Sequence, residues 1–246
     1  MVKEKGILEP EIIFEDEDFL IINKPAGLIV HSDGKSDERT LCDWLIEKFP
    51  EMKGVGEPLK LTDGRVIERP GIVHRIDRWT SGILLIAKNN EVHQFFKKQF
   101  QNREIKKIYF AFVYGNLKEK FGTINAPLGR SKGDFRQYTT PARSRGEMRE
   151  AITYFEVERE GKGASYLKVS PKTGRTHQIR AHMISIGHPI VCDRVYSKRE
   201  CILGFNRMAL HAYSLEFETH GKKRRVFEAP LPDDFKEGLK IIAEAD

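Results

Sequence analysis

The order of apolar and polar positions predicts two short strands near the start of the chain. Residues 12–14 and 19–23 are apolar runs on either side of an acidic turn, a pattern typical of strands. The second strand should end at residues 24–27, because proline donates no ladder hydrogen bond and glycine allows the chain to turn. Residues 1–10 are predicted to be a polar lead-in.

Helical periodicity follows at two places. Thr40 and Asp43 have the spacing of a capping box at the start of a predicted helix. Asn90 is predicted to cap a second helix. The core-facing stripe of this second helix consists of Val92, Phe95, Phe96 and Phe100. Residues 50–71, rich in glycine, proline and charge, are predicted to form a long loop, and residues 83–87 predict a buried strand.

The second half of the chain is mainly β. Residues 107–115 are apolar on both faces, as in a central strand, and residues 151–157 and 165–169 predict further strands. One short helix should be capped by Thr176 and end at Gly187. Strands outnumber helices without alternating regularly with them. The predicted class is therefore α+β, with a mixed, largely antiparallel central sheet flanked by helices, in one domain over residues 11–246.

Composition and charge narrow the functional classes. The 246 residues carry a net charge of +6, which favours an acidic partner such as nucleic acid, although a solvated basic surface fits as well. Cys42, Cys192 and Cys201 form no CxxC pair, which indicates a reducing compartment and argues against a disulfide framework. Neither a signal peptide nor a membrane-length apolar run is present. We therefore expect a soluble, cytoplasmic protein.

Residues 74–82 concentrate side chains that can take part in chemistry. Asp77 stands among His74, Arg75 and Arg78, just before the predicted buried strand. Loops entering such strands often present reactive groups on a rigid scaffold. Taken alone, the pattern favours a structural role for Asp77, in which it holds a turn or pairs with a neighbouring arginine.

Residues 172–182 form a second concentration, with two arginines and two histidines at a predicted helix N-terminus. Such a terminus attracts phosphate through its free N–H groups and its dipole. His177 and Arg180 are three residues apart and share a helical face. We reject zinc, because His177 and His182 fall on different faces and no acidic or thiol partner has zinc spacing. A basic surface helix is the alternative.

Tyr109 lies at the start of the predicted central strand, in the sequence Lys107-Ile108-Tyr109. Aromatic residues in strands usually belong to the core. The functional alternative is that the ring offers a flat face on which a nucleic-acid base stacks.

Together these segments resemble the ordered motifs of the RluA-like branch of the pseudouridine synthases. Residues 74–82 (HRIDRWTSG) resemble the signature HRLDxxTSG, residues 107–109 the K-x-Y motif, and residues 173–180 the motif TGRTHQ(I/L)R. Residues 23–27 (NKPAG) look like the family's N-terminal motif. The resemblance extends over residues 11–232, so residues 11–246 are identified as a catalytic domain of this family with a catalytic cleft.

The resemblance implies an enzyme that isomerises uridines in structured RNA to pseudouridine. The target base would be flipped out of the RNA, and the bond from C1′ to N1 would be replaced by one from C1′ to C5. The reaction involves no redox change and adds no group, so neither cofactor nor metal is implied. Asp77 would be the catalytic carboxylate, Arg180 the arginine paired with it, and Tyr109 the residue that stacks on the base.

The same resemblance implies RNA contacts. Arg75 would fill the gap left by the flipped nucleotide. Lys24, Arg175 and His177 are weaker candidates, for which buried structural roles are equally natural. Trp79 occupies a variable position of the signature. Because the catalytic motifs begin almost at once, we expect no accessory N-terminal RNA-binding domain of the kind found in many relatives, and RNA binding is expected to rest on the catalytic domain or on a partner.

Three other functions stay open at this point. The chain would be a catalytically inactive RNA-binding module if the acid were missing, but Asp77 is present. A base-excising glycosylase would release free uracil, whereas an isomerase leaves the mass of the RNA unchanged. A purely structural ribosome-associated protein would not need this constellation. We favour ribosomal over transfer RNA as the substrate, and a monomer as the oligomeric state.

Overall fold

The computed structural model describes residues 8–244 except 33, 35, 62, 135 and 141–143. In chain order the strands are β1 (Glu11–Glu15), β2 (Phe19–Lys24), β3 (Leu59–Lys60), β4 (Val66–Ile67), β5 (Ser81–Ala87), β6 (Lys106–Tyr114), β7 (Phe121–Asn125), β8 (Leu128–Ser131), β9 (Tyr138–Thr139), β10 (Ser144–Arg149), β11 (Ile152–Gly161), β12 (Ala164–Pro171), β13 (Leu210–Glu218) and β14 (Arg224–Glu228). The helices are α1 (Leu41–Lys48), α2 (Asn90–Asn102), α3 (Gln178–Ser185) and α4 (Asp233–Ala243).

The chain divides into two compact units. The first comprises residues 1–105 and 216–229, and the second comprises residues 106–215 and 230–246. Residues 1–7 of the predicted lead-in lie outside the described residues. The grouping of residues 11–246 into one domain stays a prediction. No helix in the described part of the chain is long and apolar enough to cross a membrane.

The first unit is built on an antiparallel sheet in which β2 lies between β1 and β5. All seven residues of β5 are buried, as its apolar run predicts. Phe19 of β2 makes edge contacts with Phe96 of α2 and with Phe217. The capping box of α1 is confirmed: the Thr40 hydroxyl accepts a hydrogen bond from the Asp43 N–H, and the Asp43 carboxylate accepts one from the Thr40 N–H.

Two predictions for the first unit are wrong in detail. Asn89 rather than Asn90 caps α2, because its Oδ1 accepts a hydrogen bond from the Val92 N–H at 2.9 Å. The side chain of Asn90 instead accepts from the Gly56 N–H at 2.7 Å and anchors the preceding segment. Residues 50–71 are not a plain loop, since they contain a 3₁₀ turn and the hairpin of β3 and β4. Strands of two residues are too short to leave a periodic signal.

The second unit contains a larger sheet in the order β13-β6-β12-β11-β7, in which β6, β12, β11 and β7 pair antiparallel. The predicted strands at residues 107–115, 151–157 and 165–169 correspond to β6, β11 and β12, and β6 is central as expected. Phe112 of β6 packs against Phe205 and against Phe235 of α4. Strands β10, β8 and β9 form a separate three-stranded sheet. The class is thus α+β with largely antiparallel sheets, as predicted.

The expectation of no disulfide framework needs one correction, because Cys192 and Cys201 form a disulfide with a Cα–Cα distance of 4.9 Å. Cys42 is a buried free thiol, and burial raises its pKa to about 12. The pairing depends on how the chain folds back between residues 192 and 201. Cys192, at the start of this segment, and Leu203, two residues beyond its end, both adopt the left-handed backbone conformation, which the sequence pattern does not predict.

Candidate active site

Asp77 lies in the loop that leads into β5 of the first unit. Its side chain is half-buried, and its backbone carbonyl accepts a hydrogen bond from the Thr80 N–H at 3.1 Å. Ile76, immediately before it, is only 7% exposed and anchors the loop in the core. The local fold therefore turns Ile76 inward and leaves Asp77 at the boundary with solvent.

His74 holds the other end of this loop. Its Nε2 accepts a hydrogen bond from the Leu85 N–H at 3.0 Å, and its ring stacks on Phe100 with 4.6 Å between centroids. A ring nitrogen that accepts from an amide is deprotonated, so the proton of the neutral imidazole lies on Nδ1. These contacts fix the loop to β5.

Lys24 is fully buried and links the NKPAG motif to the same loop. Its ammonium group donates to the carbonyls of Pro25 and Leu28 at 2.8 Å and of Arg78 at 3.1 Å. The Gly27 N–H also donates to the Arg78 carbonyl, at 2.8 Å. The RNA contact predicted for Lys24 stays a prediction, and these bonds support the structural alternative.

We expect Lys24→Met to lower the free energy of unfolding by about 1–3 kcal/mol, because buried carbonyls lose a charged donor. Urea unfolding measures this, with the exposed Lys53→Met as the control variant. If Lys24 only positions the loop, Lys24→Met should be less stable than the wild type, and the salt dependence of its RNA binding should be unchanged. If stability stays constant and RNA binding weakens instead, Lys24 contacts phosphate.

Arg75 and Arg78 are the exposed cations of this loop. Arg75 Nη1 lies 3.1 Å from His31 Nε2. Arg78 forms a bidentate ion pair with Glu38, with N–O distances of 3.2 and 2.7 Å, and its guanidinium lies 5.5 Å from the Trp79 ring. Arg75 is thus at the surface two residues from Asp77, and its contact with RNA stays a prediction.

The second unit brings the K-x-Y and TGRTHQIR motifs together. Tyr109 is half-buried on β6 opposite Val169 of β12, and β12 ends just before the second motif. Lys107 Nζ donates to the Thr173 carbonyl at 3.3 Å. The partial exposure of Tyr109 fits both of its predicted roles, core packing and base stacking, so stacking stays a prediction.

Gln178 organises the TGRTHQIR motif. Its Oε1 accepts hydrogen bonds from the Thr173 hydroxyl at 2.7 Å and the Arg175 N–H at 3.0 Å. Its Nε2 donates to the Ile152 carbonyl at 2.9 Å. The prediction that Thr176 caps the helix is wrong. His177 occupies the N-cap in the left-handed conformation, with φ of 55° and no side-chain capping bond.

The histidines of residues 172–182, His177 and His182, make mainly structural contacts. His177 Nδ1 lies 3.2 Å from the Tyr196 hydroxyl. His182 is fully buried, with its ring nitrogens 2.8 Å from Thr153 Oγ1 and 2.9 Å from the Ala126 carbonyl. Burial lowers the pKa of His182 and keeps the ring neutral. The RNA contact predicted for His177 is untested by this geometry.

Arg180 forms a buried ion pair that the sequence analysis missed. Its Nε and Nη2 donate to the two Asp193 oxygens at 2.6 and 2.8 Å, and both side chains are less than a tenth exposed. Asp193 Oδ1 also accepts from the Val195 N–H at 3.1 Å. The Arg180 guanidinium also lies 5.0 Å from the Tyr196 ring. The predicted pairing of Arg180 with Asp77, which belongs to the other unit, stays a prediction.

Comparison with known proteins gives a consistent result. A family model described as RNA pseudouridylate synthase matches residues 18–185. The Bacillus subtilis (strain 168) protein "Uncharacterized RNA pseudouridine synthase YlyB" is 38% identical over 236 residues, which are 96% of this chain and 73% of that protein. "Ribosomal large subunit pseudouridine synthase D" of Pseudomonas aeruginosa is 36% identical over 250 residues, with the same two coverages.

Among solved structures, "Human RNA Pseudouridylate Synthase Domain Containing 1" superposes with a TM-score of 0.73 at 26% identity, covering 92% of this chain and 84% of that chain. The antiparallel α+β fold and the ordered motifs define a uridine-isomerising class of enzyme. The chain belongs to the RNA pseudouridylate synthase family, in its RluA-like branch. It is an RNA pseudouridine synthase, and its substrate is RNA.

Proposed function

We propose that this enzyme isomerises specific uridines of large-subunit ribosomal RNA, with Asp77 as the catalytic carboxylate. The observation that carries the proposal is the half-buried Asp77 in a loop held by His74, Ile76 and Lys24. Several relatives at 32–36% identity bear the name "Ribosomal large subunit pseudouridine synthase D", which supports ribosomal over transfer RNA.

In the proposed mechanism the uridine is flipped out of the RNA, which costs a few kcal/mol of unstacking. The N1–C1′ bond breaks, the base turns, and C5 bonds to C1′. C5 then loses its proton while N1 gains one, so the mass of the RNA is unchanged. An ionised Asp77 can attack the sugar or the base, or stabilise a cationic sugar. All three routes need its negative charge.

We assign supporting roles in the same proposal to three further residues. Tyr109 stacks on the target base and assists proton transfer at C5. Arg180 keeps Asp77 ionised, since an adjacent guanidinium lowers a carboxyl pKa by about one to three units. Arg75 fills the space left by the flipped nucleotide.

The direct test incubates purified protein with unmodified transcripts of large-subunit ribosomal RNA and, separately, of transfer RNA. Carbodiimide labelling with reverse transcription then maps pseudouridine. We expect one or a few stops in the ribosomal transcript alone. Stops confined to transfer RNA would overturn the substrate assignment, and release of free uracil would indicate a glycosylase.

Trp79 provides a spectroscopic signal for RNA binding beside Asp77. It is 49% exposed, whereas the other tryptophan, Trp44, is 4% exposed. RNA bases that contact the exposed indole should quench its fluorescence, so we expect emission to fall as RNA is titrated. Trp79→Phe should remove most of this change and leave the Trp44 emission. Equal quenching in the variant would show that RNA does not reach this loop.

A further inference from the structure

The second unit contains a groove of about 680 Å³ beside the TGRTHQIR motif. Its walls are the three-stranded sheet of β8, β9 and β10 together with residues 174–176. The charged residues that line it are Arg130, Arg145, Arg149, Arg175 and Glu147. Among the described residues, four arginines against one glutamate give the groove a surplus of three positive charges. We refer to it as the arginine groove.

The register of this small sheet concentrates the charge. Arg145 of β10 lies directly opposite Arg130 of β8, and both side chains are exposed. Like charges facing each other across two strands destabilise the pair. An arrangement that costs stability in the free protein is stabilised when an anion binds between the two side chains.

Contacts with neighbouring residues position two of the arginines that line the groove, Arg130 and Arg175. The Arg130 guanidinium lies 5.3 Å from the Tyr138 ring on the adjacent strand. Arg175 Nε donates to the Glu150 carbonyl at 3.0 Å, which fixes its position. Glu147 pairs with Arg149 at 3.2 Å, but both are more than half exposed, and such pairs contribute little.

The floor of the groove is open because small residues lie there. A Cβ atom on Gly129 would come within 2.5 Å of Met148 Sδ and 3.3 Å of the Glu147 carbonyl oxygen, so β8 and β10 approach closely at this glycine. Gly146 lies beside Arg145 with φ of 71°, a conformation that favours glycine, and a Cβ there would meet open space. The four arginines therefore line a cavity in which two of the lining residues, Gly129 and Gly146, have no side chain.

We propose that the arginine groove binds the phosphate backbone of the substrate RNA, outside the uridine that is modified. This proposal rests on the proposed function. Several guanidinium groups around one cavity suit a chain of phosphates, because each fork can donate two parallel hydrogen bonds to one phosphate. Phosphate contacts fix the register of the RNA on the protein, so the groove contributes to the choice of uridine.

The test measures the dissociation constant of a ribosomal RNA transcript over a range of salt concentrations. Arg145→Gln should raise Kd several-fold and reduce the slope of log Kd against log salt by about one. Arg145→Lys should retain most of the slope because it retains the charge. Lys118→Gln removes one exposed charge of the same unit outside the groove, and it should leave Kd near that of the wild type.

A stability measurement separates binding from a structural role. Relief of the repulsion with Arg130 should leave the melting temperature of Arg145→Gln unchanged or higher. A lower melting temperature together with weaker binding would assign Arg145 a structural role and overturn the inference. If Arg145→Gln leaves Kd and slope unchanged while the wild type still forms pseudouridine, the proposal that the arginine groove binds RNA is overturned and the proposed function is kept. A wild type that forms no pseudouridine in ribosomal RNA contradicts the proposed function.

Discussion

Asp77→Asn should abolish pseudouridine formation while folding and RNA binding stay close to the wild type. The amide keeps the size of the side chain but has no negative charge to attack carbon or to stabilise a cationic sugar. Removal of a carboxylate that acts in the chemical step is expected to lower the turnover rate on the order of 10⁴-fold. Tritium release from RNA labelled at uridine C5, at saturating RNA, measures this rate.

Folding should be retained because the loop is held by groups other than the Asp77 carboxylate. The bonds named above run through the His74 ring, the Asp77 main chain and the Lys24 ammonium group. The matched control is Glu38→Gln, which also changes a carboxylate to an amide and touches the same loop through an exposed pair with Arg78. Its rate should stay near that of the wild type. Normal product formation by Asp77→Asn would remove the catalytic assignment.

The motif residues divide into those that hold the site and those that face solvent. Lys24 and Gln178 are buried, and their polar atoms bond to backbone or to neighbouring side chains. Arg75, by contrast, is exposed, and Asp77 is half-buried. A motif therefore contains both residues that support the structure and residues that face the substrate, and sequence similarity does not distinguish the two kinds. Burial and hydrogen-bond partners distinguish them.

Two local features follow the sequence pattern, whereas the cap of α2 lies at Asn89, one residue before the predicted Asn90. The Thr40–Asp43 capping box and the end of β2 before Pro25 depend on neighbours in sequence, so their patterns carry the information. The cap of α3 was misjudged for a related reason. The loop before it is organised by Gln178, and a side chain inside the helix that binds backward leaves no capping pattern at Thr176.

Contacts made by the tertiary fold could not be predicted. Arg180 and Asp193 are thirteen residues apart and meet only because α3 and the following loop pack together. The arginine groove depends on the register that sets Arg130 opposite Arg145. In sequence these residues are ordinary exposed charges. The fold class was accessible from strand patterns, whereas the ion pair inside the candidate site was not.

Asp193→Asn should cause the largest loss of stability among the single substitutions considered. The amide can still accept from the Val195 and Tyr196 N–H groups, but the Arg180 guanidinium loses its buried counter-charge. Breaking a buried pair by removing one partner costs about 3–5 kcal/mol. Urea unfolding measures this. Asp134→Asn is the control, because Asp134 binds Arg136 with the same bidentate geometry at the surface, and it should change stability little.

The double variant Arg180→Met/Asp193→Asn tests what else Arg180 does. Removing both charges should restore much of the stability that Asp193→Asn loses, because no unpaired charge stays buried. If Arg180 acts only through Asp193, the single-turnover rate should recover together with stability. If Arg180 also keeps Asp77 ionised, as proposed, stability should recover while the rate stays low, and the acid limb of the pH–rate profile should move to higher pH. Recovery of both would assign Arg180 to the scaffold.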